Sequence, residues 1–77
     1  MEVLYYVFIK TTAGKTVQAL TEIRKLPEIK EAHMVTGNCD IIAFLKSNNV
    51  KELGNMVAGK IHKMDSVSST TTCIVVE

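Results

Sequence analysis

Four short apolar runs alternate along the chain with two segments whose apolar residues recur at helical spacing. The runs cover residues 3–9 (VLYYVFI), 32–36 (AHMVT), 40–46 (DIIAFLK) and 69–76 (STTTCIVV). Because β-branched and aromatic residues are frequent in these runs, they predict four strands. Apolar residues three and four positions apart predict one helix after the first run and another after the third.

The predicted order of elements is therefore β-α-β-β-α-β, which is typical of a ferredoxin-like α+β fold. Right-handed crossovers predict one four-stranded antiparallel sheet with spatial order 4-1-3-2 and both helices on the same face. A chain of 77 residues has room for a single core, so residues 1–77 are predicted to form one domain.

The first helix carries Val17, Leu20 and Ile23 at spacings of three, which predicts that these side chains form its buried stripe. Its N-cap is predicted at Thr12 or Thr16, because a threonine hydroxyl can accept a hydrogen bond from the free amides of the first turn. The stripe should therefore begin within the first turn of this helix.

The second helix follows residues 47–49 (SNN), which predict its N-cap. Its apolar residues recur at intervals of three, four, four and three, with Met56 widening the stripe. The predicted stripe consists of Val50, Leu53, Val57, Ile61 and Met64. The helix is predicted to end at Asp65.

Between the second and third runs, Gly37 and Asn38 predict a two-residue hairpin loop, since both residues tolerate positive φ. Asp40 is unusual because it stands one residue after this turn and precedes five apolar residues. Spacing alone favours the first of two interpretations. Its carboxylate can accept a hydrogen bond from a backbone amide near Gly37 or Asn38, or it can be the polar group of a binding site.

The first and third strands are apolar at both alternating sets of positions. On the first strand, Tyr6 and Phe8 alternate with Tyr5, Val7 and Ile9. Two helices cover only one face of a four-stranded sheet, and a face in contact with water should show polar residues at every second position. No predicted loop is long enough to cover so large an apolar patch. The sequence therefore predicts that the open face of the sheet meets another subunit.

The charge balance argues against binding to nucleic acid or to an anionic membrane. Nine Lys and Arg residues stand against eight Asp and Glu residues, which gives a net charge of +1, and the basic residues are dispersed. The apolar run at the start of the chain is too short for a membrane span and lacks the basic region of a signal peptide. Two cysteines without an export signal predict free thiols in the cytoplasm.

No arrangement of residues predicts catalysis, a metal centre or a cofactor. His33, Cys39, His62 and Cys73 are suitable metal ligands by type, but they lack the short paired spacings of metal sites. The sequence also lacks a nucleophile–base pair at a recognisable spacing and a glycine-rich phosphate loop. The chain is accordingly predicted not to be an enzyme.

Two segments together resemble a known family. Residues 36–40 (TGNCD) precede an apolar strand, and residues 69–76 (STTTCIVV) close the chain after a second helix. In this order they resemble the effector-binding domain, also called the RAM domain, of the Lrp/AsnC family of transcription regulators. The resemblance covers nearly the whole chain. It implies a dimeric α+β barrel in which two sheets face each other, and further assembly into tetramers of dimers.

The resemblance also implies a pocket for an amino acid or a similar small effector between neighbouring dimers. The residues that it implies as ligand contacts are Thr36, Gly37, Asn38, Cys39, Asp40, Thr70 and Thr72. Position 39 is often tyrosine in the family, and Cys39 changes the contact offered there. Family regulators carry an N-terminal helix-turn-helix domain, and the chain starts at the first strand. It is therefore expected to act as a stand-alone module that binds no DNA directly. Its expected role is either to sense an amino acid or to assemble with full-length regulators.

Two other classes of protein share this order of elements. Small cofactor-free monooxygenases and isomerases also form dimeric α+β barrels, but they place polar catalytic groups inside each barrel. The apolar strands of this chain disfavour that alternative. ACT-like regulatory modules are similar in their order of elements and usually occur attached to an enzyme.

Overall fold

The computed structural model describes residues 2–77 and contains one four-stranded antiparallel sheet. The strands are β1 (Val3–Thr11), β2 (Ile29–Met34), β3 (Ile41–Ser47) and β4 (Val67–Ile74). They lie in the order β2-β3-β1-β4, which is the predicted order 4-1-3-2 counted from the other edge. The ferredoxin-like α+β fold is therefore confirmed.

The central strands β1 and β3 place one set of side chains in the core. Tyr5, Val7 and Ile9 lie opposite Leu45, Ala43 and Ile41 across the β1–β3 ladder, and all six are buried beneath the helices. Cross-strand neighbours share a face of the sheet, so this register defines the helix-covered face. Burial of this face supplies most of the core of the chain.

The opposite face of the same two strands is also apolar. Leu4, Tyr6 and Phe8 alternate with the buried residues of β1, and Ile42 and Phe44 do so on β3. The rings of Tyr6 and Phe44 lie 5.1 Å apart between their centroids, and the Tyr6 side chain is 41% exposed. We call these five residues the open-face cluster. Within residues 2–77 no helix covers this cluster.

Helix α1 spans Thr16–Arg24, and its stripe differs from the prediction at one position. Leu20 and Ile23 are buried as predicted, but Val17 is 67% exposed and Ala19 is buried instead. The helix begins only one residue before Val17, so this side chain lies in the first turn and points away from the sheet. The predicted placement of Val17 in the core is wrong.

The predicted N-cap of α1 is also wrong. Lys15 occupies the N-cap position, and its side chain makes no capping hydrogen bond. The hydroxyl of Thr12 instead donates to the carbonyl oxygen of Asp65 at 2.9 Å, and the Thr12 amide donates to the carbonyl oxygen of Ser66 at 2.9 Å. Thr12 therefore ties the start of the loop to the segment before β4.

Helix α2 spans Val50–Met56 and begins with the predicted kind of cap. The Asn49 side chain accepts hydrogen bonds from the amides of Lys51 and Glu52 at 2.9 and 3.2 Å. Val50 was predicted to be buried, but it lies in the first turn and is 62% exposed, so that prediction is wrong.

The helix continues past Met56 in a π-helical segment, Val57–Ile61, which ends before the predicted boundary at Asp65. The His62 amide donates to the carbonyl oxygen of Val57 at 2.8 Å, which is the hydrogen bond of a π turn. Leu53, Met56, Val57 and Ile61 are buried against the sheet.

The hairpin between β2 and β3 is wider than the predicted two-residue loop. The Val35 amide donates to the Asp40 carbonyl oxygen at 2.8 Å, which closes a four-residue loop over residues 36–39. Gly37 adopts a φ of +118°, a conformation that L side chains rarely adopt. The loop is therefore longer than predicted, but it depends on glycine as predicted.

Among the described residues, no helix is long and apolar enough to span a membrane.

Candidate functional site

Asp40 connects the hairpin to the end of β1. Its Oδ2 atom accepts hydrogen bonds from the Thr11 amide at 2.8 Å and from the Thr11 hydroxyl at 3.1 Å. The Asp40 amide in turn donates to the Ile9 carbonyl oxygen at 2.9 Å. The carboxylate therefore bonds neither Gly37 nor Asn38, which corrects the turn interpretation of this residue. Its partner lies 29 positions away in sequence.

These contacts keep Asp40 ionised. The hydrogen bond from the Thr11 amide, followed by that from the Thr11 hydroxyl, holds the pKa of the Asp40 carboxyl below its usual value, and the charge of Lys10 acts in the same direction. Both bonds end on Oδ2, and within residues 2–77 no donor bonds to Oδ1. A carboxylate has several acceptor positions, so Asp40 keeps capacity for a cationic group.

A depression of about 440 Å³ lies beside the hairpin loop on the open face of the sheet. Its lining combines one aromatic ring, one cation and several groups that form hydrogen bonds. The lining residues are Phe8, Lys10, Asn38, Cys39, Ser69 and Thr71. The depression has a size suited to a small molecule and an apolar wall continuous with the open-face cluster through Phe8.

The structure separates the predicted threonines from this depression. Thr70 lies opposite Ile9 and Thr72 opposite Val7, so both are directed to the helix-covered side of the edge strand β4. Thr71 lies opposite Phe8 and lines the depression. The sequence did not single out Thr71. Side chains alternate between the two faces along a strand, so the register of β4 assigns Thr71 to the open face and Thr70 and Thr72 to the other.

The hairpin residues fall into two groups. Asn38 and Cys39 line the depression, whereas Thr36 and Gly37 lie exposed in the loop. A Cβ atom added at Gly37 would have no heavy atom within 4 Å, so its backbone conformation, and not a close contact within the chain, favours glycine there. The roles of these residues as ligand contacts stay predictions.

The side chains of the depression offer a charge and several hydrogen-bonding groups for recognition of a polar ligand. Lys10 supplies a cation, and Ser69 and Thr71 supply hydroxyl groups. Asp40 follows Cys39 in the chain but is not itself one of the lining residues. Among the described residues, no three His, Cys, Asp or Glu side chains lie close enough together to hold a metal ion. Cys39 is half-buried and Cys73 is exposed, and both are free thiols.

The sequence matches the family model described as the Lrp/AsnC ligand binding domain over residues 4–77. The chain belongs to the Lrp/AsnC family. The resemblance carried by the hairpin and the final strand is thus confirmed, and it extends over every element of the fold.

Two relatives show where this domain occurs. The HTH-type transcriptional regulator FL11 of Pyrococcus furiosus is 31% identical over 75 residues, which make up 97% of this chain and 49% of FL11. The proline dehydrogenase transcriptional activator of Rhizobium radiobacter is 30% identical over 57 residues, which make up 74% of this chain and 36% of that protein. The chain therefore spans half or less of the length of these relatives. Both relatives are named as regulators of transcription.

Solved structures of the family share the fold. E. coli AsnC superimposes with a TM-score of 0.90 at 28% identity, over 97% of this chain and 51% of the AsnC chain. The transcriptional regulator NMB0573 of Neisseria meningitidis, solved as a complex with L-Met, superimposes with a TM-score of 0.86 at 14% identity, over 97% of this chain and 50% of its own. At that identity the second likeness shows the fold alone.

Proposed function

We propose that this Lrp/AsnC domain is a cytoplasmic module that binds an amino acid and assembles through the open face of its sheet. The observation that carries the proposal is the continuity of the two surfaces. The depression beside the hairpin shares Phe8 with the open-face cluster, so a ligand there would lie at the border of an assembled interface. The L-Met complex of the Neisseria regulator supports an amino acid as the class of effector.

The open-face cluster is suited to a second copy of the chain. Tyr6, which is exposed, and Phe44, which is half-buried, form an aromatic pair at the centre of the sheet. Aromatic side chains are enriched at the centres of protein interfaces. Burial of this apolar face in an assembly would add to the small apolar area that so short a chain buries alone. The proposed assembly is a dimer with facing sheets that associates further into tetramers of dimers. Full-length Lrp/AsnC regulators are proposed as additional partners through the same face.

The groups around the depression can recognise both ends of a free amino acid. The Oδ1 atom of Asp40 can accept hydrogen bonds from the ammonium group, while Lys10 and the hydroxyl of Thr71 can hold the carboxylate. Thr70 and Thr72 point to the other side of β4, so a ligand in the depression does not use them, and their role as contacts stays an untested prediction. In this proposal the effector binds one state of assembly more tightly than another. It shifts the equilibrium between the two states by no more than the difference between its affinities for them.

The test combines a screen of the proteinogenic amino acids by thermal shift with sedimentation velocity at micromolar concentration. We expect an oligomer and at least one amino acid that raises the melting temperature. Asp40→Asn keeps the size of the side chain and removes its charge, so the affinity for that amino acid should fall by about tenfold or more, the scale of a charged hydrogen bond.

The matched control is Asp65→Asn, because Asp65 is an exposed aspartate whose carboxylate pairs with Lys15 away from the depression. This variant should bind the effector as the wild type does. A folded monomer at micromolar concentration would contradict the assembly part of the proposal. If Asp40→Asn binds the effector with unchanged affinity, Asp40 is not an effector contact. Its only role is then the hydrogen bonds that connect it to Thr11.

A further inference from the structure

The two edges of the sheet are β2 and β4, and each presents backbone groups that its one neighbouring strand does not use. In an antiparallel pair, every second residue directs its amide and carbonyl to the neighbour, and the residues between direct theirs away from it. The Val35 amide donates to the Asp40 carbonyl oxygen, so these two residues form a hydrogen-bonded pair of the β2–β3 ladder. Ala32 and Met34 lie an odd number of positions before Val35 and therefore direct their backbone groups outward.

Arg24 occupies the outward carbonyl of Ala32. Its Nε and Nη2 atoms both donate to that oxygen, at 3.0 and 2.8 Å. Arg24 is the last residue of α1, so its side chain reaches the edge of the sheet from the helix beneath it. An added strand would need the same oxygen as an acceptor for one of its own amides. The planar fork of the guanidinium also fills space that such a strand would take.

Charged side chains flank this contact along β2. Lys30 is exposed, and the exposed side chains of Glu31 and His33 pair at 3.2 Å. Charges on an edge strand oppose the addition of another strand, because pairing would remove them from water. The β2 edge therefore combines an occupied acceptor with a charged flank.

The β4 edge has neither feature. The Val75 amide donates to the Leu4 carbonyl oxygen, so the same alternation directs the backbone groups of Thr70 and Thr72 outward. Within residues 2–77, no backbone group from another part of the chain bonds to them. Residues 66–76 carry no charged side chain. The β4 edge is therefore open where the β2 edge is closed.

The directions of the strands give this difference a consequence for assembly. All neighbours in the order β2-β3-β1-β4 are antiparallel, so β2 and β4 run in opposite directions. With both edges open, β2 of one copy could pair antiparallel with β4 of the next, copy after copy. Such head-to-tail contacts do not close and lead to filaments. A sheet with one open edge can pair only once, through two β4 strands, and its growth then stops.

We propose that Arg24 closes the β2 edge to a second copy of the chain and so prevents unlimited edge-to-edge growth. The partner that it excludes is the uncharged β4 strand of that copy. The contact needs no ligand at the hairpin. It is also independent of the proposed assembly through the open face, since the edge and the face of the sheet are different surfaces.

The test compares Arg24→Ala with Lys25→Ala by sedimentation velocity over a dilution series. Both variants remove one cation at the end of α1, but within residues 2–77 the side-chain hydrogen bonds to Ala32 come from Arg24 alone. Arg24→Ala should form assemblies whose weight-average mass rises about twofold or more for a rise in concentration of about tenfold, as expected for open-ended growth. Lys25→Ala should sediment as the wild type does. Because the wild type is the reference, the comparison holds whether or not the open face forms an interface.

A proline on the edge distinguishes strand addition from a general loss of stability. The Met34 amide points outward and the Met34 side chain is exposed, so Met34→Pro removes an edge donor and leaves the ladder to β3 intact. In Arg24→Ala/Met34→Pro, the mass should return to the wild-type value. Hydrogen exchange gives a second readout, since the amides of Ala32 and Met34 should become protected in the assemblies of Arg24→Ala.

Three results would overturn the proposal. They are an Arg24→Ala chain that sediments as the wild type does, equal growth of Lys25→Ala, and assemblies that persist in Arg24→Ala/Met34→Pro. Circular dichroism establishes that each variant folds. If Arg24→Ala does not fold, Arg24→Lys takes its place, because lysine keeps the charge and the aliphatic stem but lacks the two-nitrogen fork. Arg24→Lys should then grow beyond the wild type, and wild-type sedimentation of that variant also rejects the proposal.

Discussion

The two faces of the sheet are built from equally apolar side chains but have different surroundings. On β3, Ile41, Ala43 and Leu45 are at most 1% exposed beneath the helices, whereas Ile42 and Phe44 between them are only half-buried. Tyr5 and Tyr6 on β1 differ in the same way, because Tyr5 is fully buried and Tyr6 is 41% exposed. Neighbouring residues of one strand thus take part in two different surfaces.

This difference indicates that hydrophobicity alone does not define the core of a small domain. In the isolated chain the helix-covered face holds the fold together, while the open-face cluster adds little to the stability of the monomer. A solvated face would normally be polar at every second residue, so the apolar open face supports the proposed assembly. Substitutions on the two faces should therefore affect different equilibria.

The largest effect is expected from Leu45→Ala. Leu45 is buried on the helix-covered face, and removal of such a side chain costs about 2–5 kcal/mol of the free energy of unfolding. Urea denaturation followed by circular dichroism measures this loss. A change below about 1 kcal/mol would indicate that the core does not depend on this face, since Leu→Ala substitutions in well-packed cores cost more.

Phe44→Glu changes the neighbouring residue on the other face. A buried charge at the centre of an interface should weaken self-association by about 2 kcal/mol or more, while the secondary structure of the chain is preserved. Sedimentation velocity over a dilution series measures this shift. Val17→Glu places the same charge on an exposed apolar residue of α1 and should leave association unchanged. Equal association of wild type and Phe44→Glu would exclude the open face from the interface.

Asn49→Ala tests a contribution that belongs to neither face. The Asn49 side chain caps two amides of α2, and loss of such a cap costs about 1 kcal/mol of the free energy of unfolding. Asn48→Ala is the matched control, because the Asn48 side chain makes no capping bond to α2. Both variants should associate as the wild type does. If Asn49→Ala and Asn48→Ala have the same free energy of unfolding, the Asn49 cap does not contribute to stability.

The smallest effect is expected from acid titration of the link between Asp40 and Thr11. The pKa of Asp40 is lowered in the folded chain, so its contribution to stability is complete above the unfolded pKa of about 3.9 and is lost as the pH falls through the folded pKa. The melting temperature of the wild type should exceed that of Asp40→Asn at neutral pH, and the difference should shrink below about pH 4. A difference that stays constant with pH would show that the charge of Asp40 is not responsible.

The sequence by itself determined the order of elements, the topology of the sheet and the family. The apolar runs and the helical spacing of Leu53, Val57 and Ile61 are local patterns, and local patterns report which face of an element is apolar. They also placed the cap of α2 within residues 47–49 and predicted the glycine at position 37. The apolar open face followed because both alternating sets of a strand can be read directly from its residues.

Only the tertiary structure decided which residues meet across the fold. The bond from Thr11 to Asp40 spans 29 positions, and no spacing rule indicates a contact at that separation. The choice of Thr71 over Thr70 and Thr72 for the depression depends on register, because a shift of one residue exchanges the two sides of a strand. The exposure of Val17 depends on where α1 begins. Lys60, which pairs with Glu28 at 2.6 Å, lies in a π-helical segment that periodicity does not reveal. These features arise from long-range packing, and packing is a property of the assembled chain.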